Sequence, residues 1–206
     1  MIDDLFGLGM VPASPPISGL ANFDAWTDEA GAAELLGKVD AGRWLLDLKR
    51  RVQHFGYRYD YRVRTVSFSD HLEALPDWLS CLGQRLVRDG IFDRLPDQVI
   101  VNEYLPGQGI SPHVDCIPCF GETIAIVSLG GSIAMNFRHS ATDECHEMIL
   151  RPGSLLSLSG QARYDWQHGI PARKSDVISG ARVPRSRRVS LTFRTVISSG
   201  GVRTPD

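Results

Sequence analysis

The run Val101-Asn102-Glu103-Tyr104-Leu105-Pro106-Gly107-Gln108-Gly109-Ile110-Ser111-Pro112-His113-Val114-Asp115 spans two short β-rich segments, 98–104 and 111–115, parted by Pro106-Gly107. In extended chain, residues i and i+2 share a face, so His113 and Asp115 can present an imidazole nitrogen and a carboxylate oxygen to one metal ion. Alone the pattern is weak, since His71-Leu72-Glu73 has a similar form. His168, 55 residues downstream of His113 within Tyr164–Pro171, supplies a third candidate ligand. Two His and one carboxylate bind one face of a ferrous ion and leave the other open for cosubstrate and oxygen. The pair at His71 has no such third partner and reads as a surface loop ahead of a helix.

Outward from this run, the texture on both sides sets the fold class. Short β-rich runs separated by Gly and Pro occupy 98–104, 111–115, 123–129, 132–138, 147–150, 154–158 and 187–197. Upstream, a helix is predicted at 27–37, opened by Thr27 as cap with Asp28 and Glu29 in its first turn. A second is predicted at 77–89, between Pro76 and Gly90, with Trp78, Leu79, Leu82, Leu86 and Val87 on its apolar face. Trp44–Val52 and Tyr57–Val66 read as strand or turn segments. Residues 1–22, rich in Gly and Pro, read as an extended or poorly ordered arm. Helices followed by many short strands imply an α+β protein with a sandwich or double-sheet barrel core.

The last strand, Arg188-Val189-Ser190-Leu191-Thr192-Phe193-Arg194, alternates strictly. It suits either a half-exposed strand with solvated arginines or a clamp. The two arginines stand roughly 20 Å apart along the strand, and side chains reaching towards each other bracket a small dianion, for which the forked, permanently charged guanidinium is suited. An open-faced iron and a carboxylate clamp together suggest 2-oxoglutarate as cosubstrate.

The order Asn-x-Tyr, HxD, distal His and RxxxxxR resembles the AlkB family of Fe(II)- and 2-oxoglutarate-dependent dioxygenases, closely over about 95–196. The runs Asn102–Asp115, Ser128-Leu129-Gly130 and Arg163–Pro171 look most like the AlkB-type domain of the homologue that modifies wobble uridines in tRNA. The resemblance implies a double-stranded β-helix (jelly-roll) core with N-terminal helices and a nucleotide-recognition lid, one domain over 1–206. It implies that His113, Asp115 and His168 hold Fe(II). Tyr104 and Arg188 would bind the distal carboxylate of 2-oxoglutarate, with Asn102 and Arg194 at its chelating end. With O2, oxidative decarboxylation to succinate would drive hydroxylation of a C–H bond. An N-methyl carbon would then leave as formaldehyde, whereas a stable carbon would keep its hydroxyl. Two departures from the best-known repair enzyme of the family bear on substrate: Ile117 replaces a base-contacting Asp, and Ser190 replaces an Asn. The cysteine cluster that follows the last strand of the wobble-uridine homologue has no counterpart in 195–206.

The chain of 206 residues carries 22 basic and 24 acidic residues, a near balance that argues against a protein that coats nucleic acid. The average hides a polarity. Residues 161–194 hold eight basic and two acidic residues, and residues 1–48 hold two basic and eight acidic. The Gly/Pro/Ser-rich stretch 173–187, expected to be a loop at the site mouth, offers Arg185 and Arg187 to phosphates. A second patch from Lys49 to Arg64 interleaves aromatic and basic side chains, of which Arg51, Tyr57, Tyr59 and Tyr61 are expected to contact an extruded base and its phosphates, or else to form an ordinary Tyr-rich strand.

The expected activity is therefore oxidative dealkylation of nucleobases in DNA or RNA, with hydroxylation of a modified uridine in tRNA or oxidation of a protein side chain as alternatives. No apolar run is long enough to span a membrane and Asp3 and Asp4 stand where a signal peptide carries basic residues; a reduced, cytoplasmic monomer is the expectation. Of the four cysteines, Cys116 and Cys119 form a CxxC that suggests redox chemistry or half a zinc site, with Cys145-His146 as the other half at a spacing unusual for zinc. Cys81 reads as a small core residue.

Overall fold

The computed structural model describes residues 17–46, 48–66 and 68–197. Its strands are β1 (Leu20–Phe23), β2 (Val52–Phe55), β3 (Gln98–Tyr104), β4 (Ile110–His113), β5 (Phe120–Gly130), β6 (Ile133–His139), β7 (Cys145–Leu150), β8 (Leu155–Leu158), β9 (Trp166–Ile170), β10 (Ser175–Ile178), β11 (Ala181–Pro184) and β12 (Arg188–Val196). Its helices are α1 (Glu29–Asp40), α2 (Asp77–Arg88) and the single turn α3 (Gly160–Tyr164). The strands form a major sheet in the order β1-β8-β5-β12-β3-β2, a minor sheet in the order β4-β9-β6-β7, and the separate hairpin β10-β11. This mostly antiparallel double sheet is the jelly roll expected.

The major sheet is buried on both faces at its centre. All residues of β3 and of β12 are buried, so the alternation in β12 divides two interiors and not core from water. Val189, Leu191 and Phe193 pack with Val99, Val101, Val127 and Leu129 under α1 and α2. The other face, carrying Arg188, Ser190, Thr192 and Arg194, looks towards the minor sheet across Ile126, Met135, Phe137 and Ile170. Each fully buried Leu or Phe in these layers contributes about 1.5–3 kcal/mol.

α1 forms because Ala32, Leu35 and Val39 make one buried stripe. Its cap is Asp28 in place of the predicted Thr27: the Asp28 carboxylate accepts from the Gly31 N–H at 2.8 Å. α2 keeps its predicted start, buries Leu79, Gly83 and Leu86, and is followed by Gly90 at φ 73°. Two salt-bridge groups tie the layers. Glu103, on the helix-facing side of β3, takes both Arg51 (2.6 Å) and Arg187 (2.5 Å), and Arg187 continues to Asp40 at the end of α1. Asp176 holds Arg185 (2.6 Å) and Arg173 (2.6 Å) and accepts from the Ala134 N–H of β6, fixing the β10-β11 hairpin.

Several expectations are corrected. Residues 17–22 are not an arm: Ile17 and Leu20 are core, and β1 pairs with β8; residues 1–16 lie outside the described residues. The 173–187 stretch is a hairpin with flanking turns, because Arg173 and Arg185 converge on Asp176. Of the strand and turn readings of Tyr57–Val66 the turn holds, closed by the Asp60–Thr65 bridge. Cys81 is exposed on α2, since the helix's buried stripe passes through Leu79 and Gly83. β9 and α3 had no distinct periodic signal.

Candidate active site

His113 and His168 face each other as register partners on β4 and β9, their ring centroids 4.5 Å apart. Gly169 permits the approach: a Cβ there would stand 2.9 Å from the Pro112 nitrogen and 3.0 Å from the Ile110 carbonyl. His113 Nδ1 lies 2.9 Å from the Ser111 carbonyl, a hydrogen bond that leaves Nε2 with its lone pair directed elsewhere. Asp115 Oδ2 is 3.9 Å from His168 Nε2. The three side chains line one cavity, although among the described residues no group of three or more His, Cys, Asp or Glu stands arranged to hold a metal ion as placed.

The electrostatics suit a cation. Burial is the largest single influence on the Asp115 carboxyl and raises it, but Arg194, His168, His113 and Arg163 together outweigh burial and hold it well below the usual carboxylate range. Arg194 Nη2 donates to Asp115 Oδ1 at 2.8 Å. Burial and then the neighbouring His113 push His168 down to about 4, so the imidazole is neutral near pH 7 and keeps a lone pair. Arg163, buried on α3, donates to the main-chain carbonyls of Asp115, Cys116, Phe120 and Gly121, which pins the segment leading away from the carboxylate.

Deeper in the cavity, Arg188, Ser190 and Arg194 on β12 stand opposite Tyr104, Asn102 and Gln98 on β3. Arg188 is 1% exposed, donates to Ser128 Oγ at 3.0 Å and sits 5.5 Å from the Tyr104 ring centroid. It has no carboxylate partner among the described residues, and its Nε is buried without an acceptor. A buried guanidinium with an unmet donor fits an incoming carboxylate. Two imidazoles and a carboxylate in the same cavity, of about 740 Å³, fit iron(II). When bound, iron(II) and 2-oxoglutarate supply the oxidising chemistry. The chain's own part is to hold His168 neutral, Asp115 ionised, and Arg188 and Arg194 fixed on one strand.

The lid is only partly as expected. Tyr59, Tyr61 and Arg64 line the cavity, and the Tyr61 hydroxyl is buried without a hydrogen-bond partner, its pKa pushed up to about 12 by burial. Tyr57 instead lines a smaller hollow beside His71, its main-chain bridge partner. Arg51, Arg185 and Arg187 do not reach the cavity: Arg51 and Arg187 hold Glu103 on the helix-facing side, and Arg185 is buried on Asp176 and the Pro171 carbonyl. Arg50 takes the place expected of Arg51. Val52 pairs with Asn102, so Arg50 shares the cavity face and donates through Nε to Asn102 Oδ1 at 2.9 Å. Lys49 completes this rim. The patch was visible in sequence, but its parity depended on a register with β3 that sequence does not carry. Ile117 is half exposed and outside the cavity lining, and Cys116 and Cys119 are joined as a disulfide while Cys145 is free and exposed, which leaves no shared zinc site.

A jelly roll that encloses two histidines, a carboxylate and a pair of strand-borne arginines defines a class of iron-dependent oxygenases. The chain belongs to the 2OG-Fe(II) oxygenase superfamily, whose family model matches residues 43–194, and AlkB homologues are among the proteins it is similar to. It is accordingly an Fe(II)- and 2-oxoglutarate-dependent dioxygenase that uses O2. It is 38% identical over 165 residues to the uncharacterized protein L905 of Acanthamoeba polyphaga mimivirus, covering 80% of this chain and 78% of that one. Identity to the alkylated DNA repair protein ALKBH8 homolog of Arabidopsis thaliana is 36% over 218 residues, covering 95% of this chain and 63% of that one. The match to the tRNA (carboxymethyluridine(34)-5-O)-methyltransferase ALKBH8 of Mus musculus is 35% identical and covers 71% of this chain but 24% of that protein. The solved structure of OsALKBH1 superposes with a TM-score of 0.67 at 16% identity over 86% of this chain and 96% of that one, a likeness of fold. No helix among the described residues is long and apolar enough to cross a membrane.

Proposed function

We propose that the chain is a single AlkB-like domain that oxidises alkyl groups on nucleobases of DNA or RNA, working as a cytoplasmic monomer. His113, Asp115 and His168 hold the iron; Arg188 and Tyr104 take the distal carboxylate of 2-oxoglutarate, and Asn102 and Arg194 lie at its chelating end. The observation that carries the site is Arg188, a buried cation without a counter-ion in the same cavity as the three ligand side chains. The observation that favours a nucleotide is the rim, where Tyr59 and Tyr61 stand among Lys49, Arg50 and Arg64: aromatic faces stack an extruded base and cations meet its phosphates. Relatives named for alkylated DNA repair, for RNA/DNA demethylation and for tRNA modification support the same substrate class. For an N-methyl base, methylated base, O2 and 2-oxoglutarate give the free base, formaldehyde, succinate and CO2.

A second reading, hydroxylation of a modified uridine in tRNA, is favoured by one feature. Asp115 is the sole carboxylate that lines the cavity among the described residues, and Arg194 already holds it. A cationic methylated base therefore finds no spare anion, whereas a neutral base needs none. Mass spectrometry of products from a panel of alkylated DNA, alkylated RNA and modified tRNA separates the two. Loss of methyl with formaldehyde supports dealkylation, and a gain of one oxygen on a uridine supports hydroxylation. Turnover of a peptide alone, abolished in His113→Ala, refutes the nucleic-acid reading and leaves the iron site standing.

A further inference from the structure

Arg50 stands where the cationic rim meets the wall that carries Asn102 and Tyr104. β2 pairs Val52 with Asn102, and the pairing runs on past the strand, the Glu103 N–H donating to the Arg51 carbonyl at 3.0 Å, so the Arg50 side chain falls on the cavity face beside β3. Gln108 steadies the residue before it: its Nε2 donates to the Lys49 carbonyl at 2.8 Å while its Oε1 accepts from the Leu105 N–H at 2.9 Å. From there Arg50 Nε donates to Asn102 Oδ1 at 2.9 Å. Its Cζ lies 5.7 Å from the centroid of the Tyr104 ring, which also has Arg188 Cζ at 5.5 Å. Asn102 is 7% exposed and lines the cavity, and the bond from Arg50 is the single hydrogen bond its side chain makes among the described residues. An amide carries an acceptor and a donor of nearly the same shape, and its neighbours decide which points where. Arginine has donors only, so it meets the amide through its oxygen. With Oδ1 turned to Arg50, Nδ2 is the end left for a ligand. An NH2 group suits a carboxylate, whereas the flipped amide would set oxygen against oxygen.

We propose that Arg50 is a positioning residue for the cosubstrate: its Nε–H fixes the Asn102 amide so that Nδ2 donates to the 2-oxo acid end of 2-oxoglutarate. This inference rests on Asn102 standing at that end, and it does not depend on which substrate is oxidised. Arg50 acts through Asn102 and has no need to touch 2-oxoglutarate itself. What it supplies is a directed hydrogen bond and not its charge. Glutamine separates the two, because its Nε2 hangs from Cδ as the arginine Nε does and brings an N–H donor to the same place without the cation.

The test is anaerobic calorimetric titration of 2-oxoglutarate into the Mn(II)-loaded full chain, for the parent, Arg50→Met, Arg50→Gln, Asn102→Ala and the double variant Arg50→Met with Asn102→Ala. Asn102→Ala is expected to weaken binding about tenfold, as loss of a hydrogen bond to a charged group does. Arg50→Met keeps much of the side chain's length but no donor, and is expected to weaken binding about five- to tenfold. Arg50→Gln is expected to stay within about twofold of the parent, since the directed donor is kept. In the Asn102→Ala background, Arg50→Met is expected to change affinity by less than about twofold, because no amide remains to orient. An Asn102→Ala chain that binds 2-oxoglutarate as the parent does refutes the placing of Asn102, and the proposal with it. A weakened Asn102→Ala beside an Arg50→Met chain that binds like the parent overturns the role of Arg50 alone. Arg50→Gln as weak as Arg50→Met, the mark of a plain charge effect, overturns it too. So does an Arg50→Met loss that persists undiminished without Asn102, the mark of a structural one.

Discussion

Replacing Arg188 by Met removes the guanidinium while keeping most of its volume, and it separates binding from folding. Burial pushes the Arg188 guanidinium well below its ordinary value, to about 10, which corresponds to roughly 3 kcal/mol against the charged form. A basic group lowered in this way destabilises the fold throughout the range below about pH 10, and relief comes only above it. Against this stand a charged hydrogen bond to Ser128 Oγ at 3.0 Å, worth about 1.5–3 kcal/mol, and the Tyr104 ring at 5.5 Å, worth about 1 kcal/mol. The terms nearly cancel. Arg188→Met should therefore melt within about 3 °C of the parent, since 1 kcal/mol moves a chain of this size by about 2–4 °C. Removing one partner of a buried charge pair with the cosubstrate weakens 2-oxoglutarate binding by about 30-fold or more. Thermal melts without 2-oxoglutarate, and calorimetric titration of it under anaerobic conditions with Mn(II) in place of iron, read the two effects separately. A variant that melts about 8 °C or more below the parent and still binds 2-oxoglutarate with little change would refute the assignment of Arg188 to the ligand.

Asp176→Asn should destabilise by about 3–5 kcal/mol, because it strands the buried Arg185; urea denaturation reads the change. Arg185 and Arg173 overcome burial to lower the Asp176 carboxyl. Its stabilising contribution is thus full above the ordinary carboxylate pKa and fades as pH falls through the lower folded value, so parent and Asp176→Asn curves should converge in strong acid. Gly169→Ala drives a Cβ to 2.9 Å from the Pro112 nitrogen, and should lower Mn(II) affinity and stability together, the latter by about 1–3 kcal/mol. Arg64→Ala with Lys49→Ala should weaken oligonucleotide binding and flatten the slope of log affinity against log salt by about 0.7–0.9 for each phosphate no longer neutralised. Arg187→Ala should leave that slope unchanged.

The residues proposed for iron and cosubstrate could be picked out because their spacing is local: an i, i+2 pair that starts at the last residue of β4 and runs just past it, and a strict alternation on β12, place side chains on one cavity without knowledge of pairing. What remained hidden depended on pairing. Whether Arg50 or Arg51 enters the cavity turns on Val52 meeting Asn102, a register fixed by tertiary contacts. The basic charge at 185–187 was real, but its partners Asp176, Glu103 and Asp40 lie 9, 84 and 147 residues away. β1 was missed because Gly and Pro around it mark turns as readily as disorder. The two-sided burial of β12 was likewise invisible, since a strand between two packed faces and a strand facing water can share one alternation.

Arg163 holds its segment entirely through main-chain oxygens, and a grip of that kind is blind to side-chain identity. The exposed tip of the loop after Asp115, Ile117 and Pro118, is therefore free to diversify, by drift or by design, without dislodging the carboxylate. Variation can be explored there, between the bridged Cys116 and Cys119, in an otherwise unchanged barrel.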